Sequence, residues 1–114
     1  MTIVVHQINL MHSRSATAEL TRRVQTLGNK PYIFMIQEPW ICHNKICGLQ
    51  SAGNLFYQSA PDASPRTCIL MSKNLKGWLV SDLSSDEFTV CSLKINGTNT
   101  YFISAYLNNH IMLV

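Results

Sequence analysis

Asn9, Glu38 and Tyr106 share one feature: each is a polar side chain that closes an apolar run, in "VVHQIN", "IFMIQE" and "YFISAY". A carboxylate at the end of a buried strand loses solvation, so Glu38 requires either contact with solvent or a compensating cation. An amide oxygen and a carboxylate oxygen side by side are hard donors, suited to a Mg²⁺ ion that keeps several waters and meets a phosphate. A nearby tyrosine hydroxyl can donate a hydrogen bond to a phosphate oxygen. Taken singly, each residue also has a plain structural role: a turn asparagine, a solvated glutamate, a half-buried tyrosine. Whether the three can meet depends on the elements that carry them.

The β-branched stretch "TIVVHQINL" reads as a buried strand. In "HSRSATAELTRRVQTLGNKP" the period changes, with Leu20, Val24 and Leu27 recurring at helical spacing. Ser13 or Ser15 can cap the start of this helix, and Gly28 with Pro31 marks its stop. "YIFMIQ" is a second apolar strand, and strand–helix–strand in this order predicts a parallel, right-handed βαβ unit. Parallel neighbours would bring Asn9 and Glu38 to the same sheet edge, where sites of sheet enzymes gather. Beyond Pro39 the segments "NLFYQS", "RTCILMS", "GWLVSDLS" and "FTVCSLKI" are short and β-rich. Asn96-Gly97 suits a type I′ turn joining two antiparallel strands. The fold class expected is α/β (α+β): a βαβ start followed by antiparallel strands.

The chain has 114 residues, enough for one domain at most. It is 46% apolar and only 13% charged, which excludes a disordered chain and hints at covered surface. Its net charge of +3 is compatible with a phosphate-bearing partner but too small to argue for one. The first residues lack a secretory signal and no run reaches membrane-span length, so no membrane is expected, and the expected home is intracellular, nucleus and cytoplasm. In that setting Cys42, Cys47, Cys68 and Cys91 read as reduced thiols packed as small hydrophobes; C-x4-C is not zinc-ribbon spacing, and His43 alone completes no ligand set. His6 and His12 read as packing or solvent-exposed residues. Arg14, Arg22, Arg23 and Lys30 decorate the helix and Arg66 begins a strand; such residues make salt-dependent phosphate contacts, although Arg22 and Arg23 read better as a solvated helix face.

In order and spacing, "QINLMHSRSA", "FMIQEPW" and "YFISAYL" resemble the endonuclease/exonuclease/phosphatase superfamily. More narrowly, they resemble the endonuclease domain at the front of non-LTR retrotransposon polyproteins, and "SPRTCILM" resembles that family's third segment. The resemblance spans residues 3 to 107, leaving 108–114 as a divergent tail. It implies part of a four-layer αββα sandwich and Mg²⁺- or Mn²⁺-dependent nicking of DNA, upstream of a reverse transcriptase domain on the same polyprotein. It places the metal on Asn9 and Glu38, the scissile phosphate on Tyr106, a catalytic role on Asn109, and nucleic-acid contacts on Arg14 and Arg66. The sequence departs from the pattern at Met11, where an aspartate is frequent, and at Asn108, where a proline is.

The family's later Asp-x-Asn and terminal Asp-His elements do not occur in the sequence. The chain therefore reads as the first half of a nuclease domain, with little or no activity expected from it alone. Half a two-sheet sandwich leaves a sheet face and an edge uncovered, which favours self-association. The alternative is a non-catalytic retroelement remnant that binds nucleic acid or a protein. A third reading keeps the superfamily with a phosphoinositide or abasic-site substrate, which "SRSA" and "QEPW" favour least.

Overall fold

A computed structural model of the chain describes residues 2–107. Strand β1 (Val4–Asn9) leads into helix α1 (Arg14–Thr26) and strand β2 (Tyr32–Gln37), and β1 and β2 pair in parallel from Val4–Tyr32 to Asn9–Gln37. A small hairpin follows, β3 (Ile41–Cys42) with β4 (Lys45–Ile46). Strands β5 (Asn54–Phe56) and β6 (Thr67–Met71) then join the first sheet, whose order is β1-β2-β6-β5. Strands β7 (Trp78–Leu79), β8 (Phe88–Ile95) and β9 (Thr98–Ala105) make a second, antiparallel sheet.

Helix α1 begins where expected, because the Ser13 hydroxyl accepts from the Ala16 N–H at 3.1 Å and satisfies one orphan donor of the first turn. Its Leu20 and Val24 pack on Phe34, Ile36, Cys68 and Leu70 of the first sheet. The opposite face of that sheet presents Ile33, Ile69 and Met71 to Cys91, Leu93 and Phe102 of the second. The alternation is strict because successive side chains of a strand point to opposite faces. Helix, sheet and sheet are thus three of the four layers of an αββα sandwich. Asn96 and Gly97 have φ of 51° and 80°, as a type I′ turn between β8 and β9 requires.

Two expectations are corrected. The first strand is not buried: β1 is an edge of its sheet and Val5 is 45% exposed, since hydrophobic content alone does not reveal which strand finds a second neighbour. The cysteines are not four free thiols. Cys42 and Cys47 form a disulfide across the β3–β4 hairpin with Cα atoms 5.9 Å apart, while Cys68 and Cys91 are free and buried. Burial pushes the Cys91 thiol up to about 12 and raises Cys68 further still. Titration of the native protein with a thiol reagent at pH 8 should therefore find no reactive thiol. Denaturant alone should release two and denaturant with reductant four; four without reductant would refute the disulfide. No helix among the described residues is long and apolar enough to cross a membrane.

Candidate metal and phosphate site

The parallel pairing of β1 with β2 fixes the first half of the site. Asn9 and Gln37 are opposite one another at the ends of these strands, so Glu38 emerges beside Asn9. The second sheet supplies the rest. Gln37 Nε2 donates to Ser104 Oγ at 2.9 Å, and Ser104 Oγ donates to the Ile36 carbonyl at 2.7 Å, pinning the end of β9 under the end of β2. Tyr106 follows one residue after β9 and is held there by its N–H, which donates to the Glu87 carbonyl at 2.8 Å. Asn9, Gln37, Glu38 and Tyr106 consequently line one open cleft of about 380 Å³.

Glu38 lies just beyond β2 rather than within it, with φ of 50°. A left-handed backbone at a glutamate is uncommon and is retained only where neighbours impose it. Here its N–H donates to the Arg66 carbonyl and its carbonyl accepts from the His12 N–H, both at 2.9 Å. Met11 and His12, in the β1–α1 turn, also have positive φ, at 51° and 55°. Among the described residues, the other non-glycine residues of this kind, His43, Asn44 and Asn96, sit in hairpin turns. Backbone strain outside hairpins is thus concentrated around the cleft.

Asn9 Oδ1 accepts from the Met11 N–H at 2.8 Å, which orients the amide and leaves one lone pair of that oxygen for a ligand. The Glu38 carboxylate forms no ion pair among the described residues; the salt bridges there are those of Glu19 with Arg22 and Arg23. Asn9 and Glu38 together offer hard oxygen donors that fit a hydrated Mg²⁺ or Mn²⁺. No three His, Cys, Asp or Glu side chains gather as a metal cluster among the described residues, so the donor set does not suit a protein-caged Zn²⁺.

Arg66 is the positive group of the site: its guanidinium carbon lies 5.0 Å from the centroid of the Tyr106 ring. The two line a second, larger cavity of about 510 Å³ with His12, Ser64, Asp62 and Asp86, and Tyr106 belongs to both cavities. Arg14 lies elsewhere, over the ring of Trp40 at 5.7 Å, and lines neither cavity. Asn109 lies outside the described residues.

His12 is solvent-exposed, as the sequence reading allowed, and the structure adds a contact that the sequence did not show. Its Nδ1 donates to the Pro39 carbonyl at 2.9 Å, so in the neutral ring Nε2 keeps an acceptor lone pair on a side chain that lines the larger cavity. Its position three residues after Asn9, in the turn between a strand end and a helix cap, was the available signal.

No protein-family model matches the sequence, and no curated protein matches it. Among solved structures, the endonuclease domain of TRAS1, a telomere-specific non-LTR retrotransposon, superposes with a TM-score of 0.70 at 20% identity. The match covers 92% of this chain and 44% of that one, so the chain spans less than half of its structural neighbour. At that identity the likeness is one of fold, and it agrees with the order of the strand-end motifs. The chain shares the fold of this retrotransposon endonuclease domain, over less than half of that chain's length.

Proposed function

We propose that this chain is part of a divalent-metal-dependent DNA endonuclease, the part that holds the cation and the scissile phosphate. The observation that carries this reading is the convergence of Asn9, Glu38 and Tyr106 on one cleft from three separate strand ends, on an endonuclease-type fold. Asn9 and Glu38 hold Mg²⁺ or Mn²⁺, which supplies Lewis-acid stabilisation of charge on a phosphodiester oxygen. The Tyr106 hydroxyl donates to the same phosphate, and Arg66, stacked on that ring, adds positive charge where negative charge develops. Asn109 takes a catalytic role, and Arg14 contacts the DNA backbone. Groups that position the attacking water come from the length of domain that the chain does not span. The chain alone therefore binds without appreciable turnover. In the intact retroelement protein, with its reverse transcriptase domain, the nick leaves a 3′ hydroxyl that primes copying in the nucleus, after synthesis of the protein in the cytoplasm.

The test is a Mg²⁺ and Mn²⁺ titration of the folded chain, followed by thermal unfolding and by Trp40 fluorescence two residues from Glu38. Stabilisation should approach about 2.7 kcal/mol at a hundred times the dissociation constant and should be absent in Glu38→Gln. No metal-dependent shift in a folded sample, or an equal shift in Glu38→Gln, would refute the ligand assignment. Mg²⁺-dependent nicking of supercoiled plasmid by the chain alone, lost in Glu38→Ala, would instead overturn the claim that it does not turn over.

The stacking of Arg66 on Tyr106 and of Arg14 on Trp40 also favours a second reading, a remnant that binds nucleic acid without catalysis. Salt-sensitive DNA binding that survives Glu38→Ala, in a chain that shows no metal response, would select it.

A further inference from the structure

We infer that His12 is a positioning residue for Glu38, a prop between the start of α1 and the loop that carries the carboxylate; this rests on the proposed binding of a cation by Asn9 and Glu38. No strand holds Glu38, since β2 ends at Gln37. Its loop is held by the β1–α1 turn, which bonds three successive carbonyls. The Leu10 N–H donates to the Gln37 carbonyl, the His12 N–H to the Glu38 carbonyl and His12 Nδ1 to the Pro39 carbonyl, each at 2.9 Å. A carbonyl only accepts, so Nδ1 carries a proton here whichever charge the ring has.

The first two of these bonds join backbone to backbone and depend little on which side chains the turn carries. The third belongs to the side chain of residue 12. Few residue types suit that position, because its φ is 55°, a region that histidine and asparagine enter several-fold more readily than most residues. The ring stands on a fixed base, since the next residue caps the helix. The Ser13 N–H donates to the Leu10 carbonyl at 2.9 Å, and the Ser13 hydroxyl accepts from the Ala16 N–H at 3.1 Å. On the other side of the loop, the Glu38 N–H donates to the Arg66 carbonyl at 2.9 Å and the Arg66 N–H to the Asp86 carbonyl at 2.7 Å.

Glu38 is thus gripped from the β1–α1 turn and from the entry to β6, and only the imidazole extends that grip past Glu38 to Pro39. Beyond Pro39 the next backbone bond is that of the Trp40 carbonyl with the Cys47 N–H, within the hairpin segment. A hydrated Mg²⁺ ion demands near-octahedral geometry at about 2.1 Å, so a carboxylate displaced by a few tenths of an ångström loses its place in the shell. His12 is exposed and its ring fills no core, so its effect reaches the cation through position and not through packing. Removing a group that orients a metal ligand in this way costs about 10–100-fold in metal affinity.

Mn²⁺ binding to the folded chain, followed by the electron paramagnetic resonance of the free ion, separates the ring's role from the backbone's. His12→Gly accepts the same φ and loses the donor, and should weaken binding by about 10–100-fold. His12→Asn also accepts that φ and places an amide N–H where Nδ1 stands, so it should restore most of the affinity. His12→Gln carries the same amide one bond farther out and should bind as weakly as His12→Gly. In the metal-free chain, exchange of the Glu38 amide hydrogen should quicken in the Gly and Gln variants and not in the Asn variant. Wild-type affinity in His12→Gly, or equal affinities in the Asn and Gln variants, would overturn the positioning role and leave the ligands in place. Failure of the wild-type chain to bind Mn²⁺ would instead remove the ligand assignment, and the positioning role with it.

Discussion

Ile36→Ala is expected to lower the stability of the fold by about 3–5 kcal/mol, because the site cannot collapse around the missing atoms. Ile36 is fully buried on the helix-facing side of β2, in one cluster with Leu10, Leu20, Cys68 and Leu70. Its strand is hydrogen-bonded on both sides, opposite Ile8 in β1 and Cys68 in β6, so neither neighbour can close in on the void. A domain of this size has about 5–15 kcal/mol in total, and the variant would consequently be marginal. Urea unfolding should show a lower midpoint with an unchanged slope, the mark of lost stability without a change in compactness. Ile8→Ala, one strand out on the exposed edge, should lose roughly half as much, since part of its side chain already meets water. Equal losses at the two positions would mean that α1 does not seat over β2 as described. The consequence for the site is direct: Ile36 is two residues from Glu38, and the metal response should weaken with it.

The parts of this fold that were legible in the sequence are those governed by local periodicity. The change from period 2 to period 3.6 and back announced β1, α1 and β2, and Asn96-Gly97 announced the β8–β9 hairpin. Polar residues at the ends of apolar runs announced Asn9, Glu38 and Tyr106. What stayed hidden depends on contacts distant in sequence. Strands β3 and β4 are two residues each and turn through His43-Asn44, which has positive φ at both positions but no glycine to signal it. Without that hairpin, nothing in C-x4-C brings Cys42 and Cys47 together. The exposure of β1 was only half signalled: "VVHQIN" carries three polar residues where the central "YIFMIQ" is almost wholly apolar, but it is the sheet order that makes β1 an edge. The contact of exposed His12 was hidden for a related reason: it is made to the Pro39 carbonyl, 27 residues away.

Ser104→Ala should cost about 1–3 kcal/mol, more than the loss of one hydroxyl from a surface would suggest. Ser104 is fully buried and Gln37 is 8% exposed; the hydroxyl accepts from the Gln37 amide while donating to the Ile36 carbonyl. Removing it strands the Gln37 amide between two sheets, where no other described side chain bonds to it. The double variant Gln37→Leu/Ser104→Ala replaces both partners with apolar groups and should recover most of the lost stability, because no polar atom is then left unsatisfied. This contrast separates a buried hydrogen bond from mere packing, for which the two losses would add. The same pair is the strut that holds the ends of the two sheets together, Gln37 next to Glu38 and Ser104 two residues before Tyr106. Stability and site geometry should therefore part company in the double variant. Its unfolding midpoint should return toward wild type, while DNA affinity in the presence of Mn²⁺ stays low, because apolar contact restores cohesion without restoring the register between Glu38 and Tyr106. Were affinity to recover along with stability, the register would be set by the sheets themselves and the strut would be structural only.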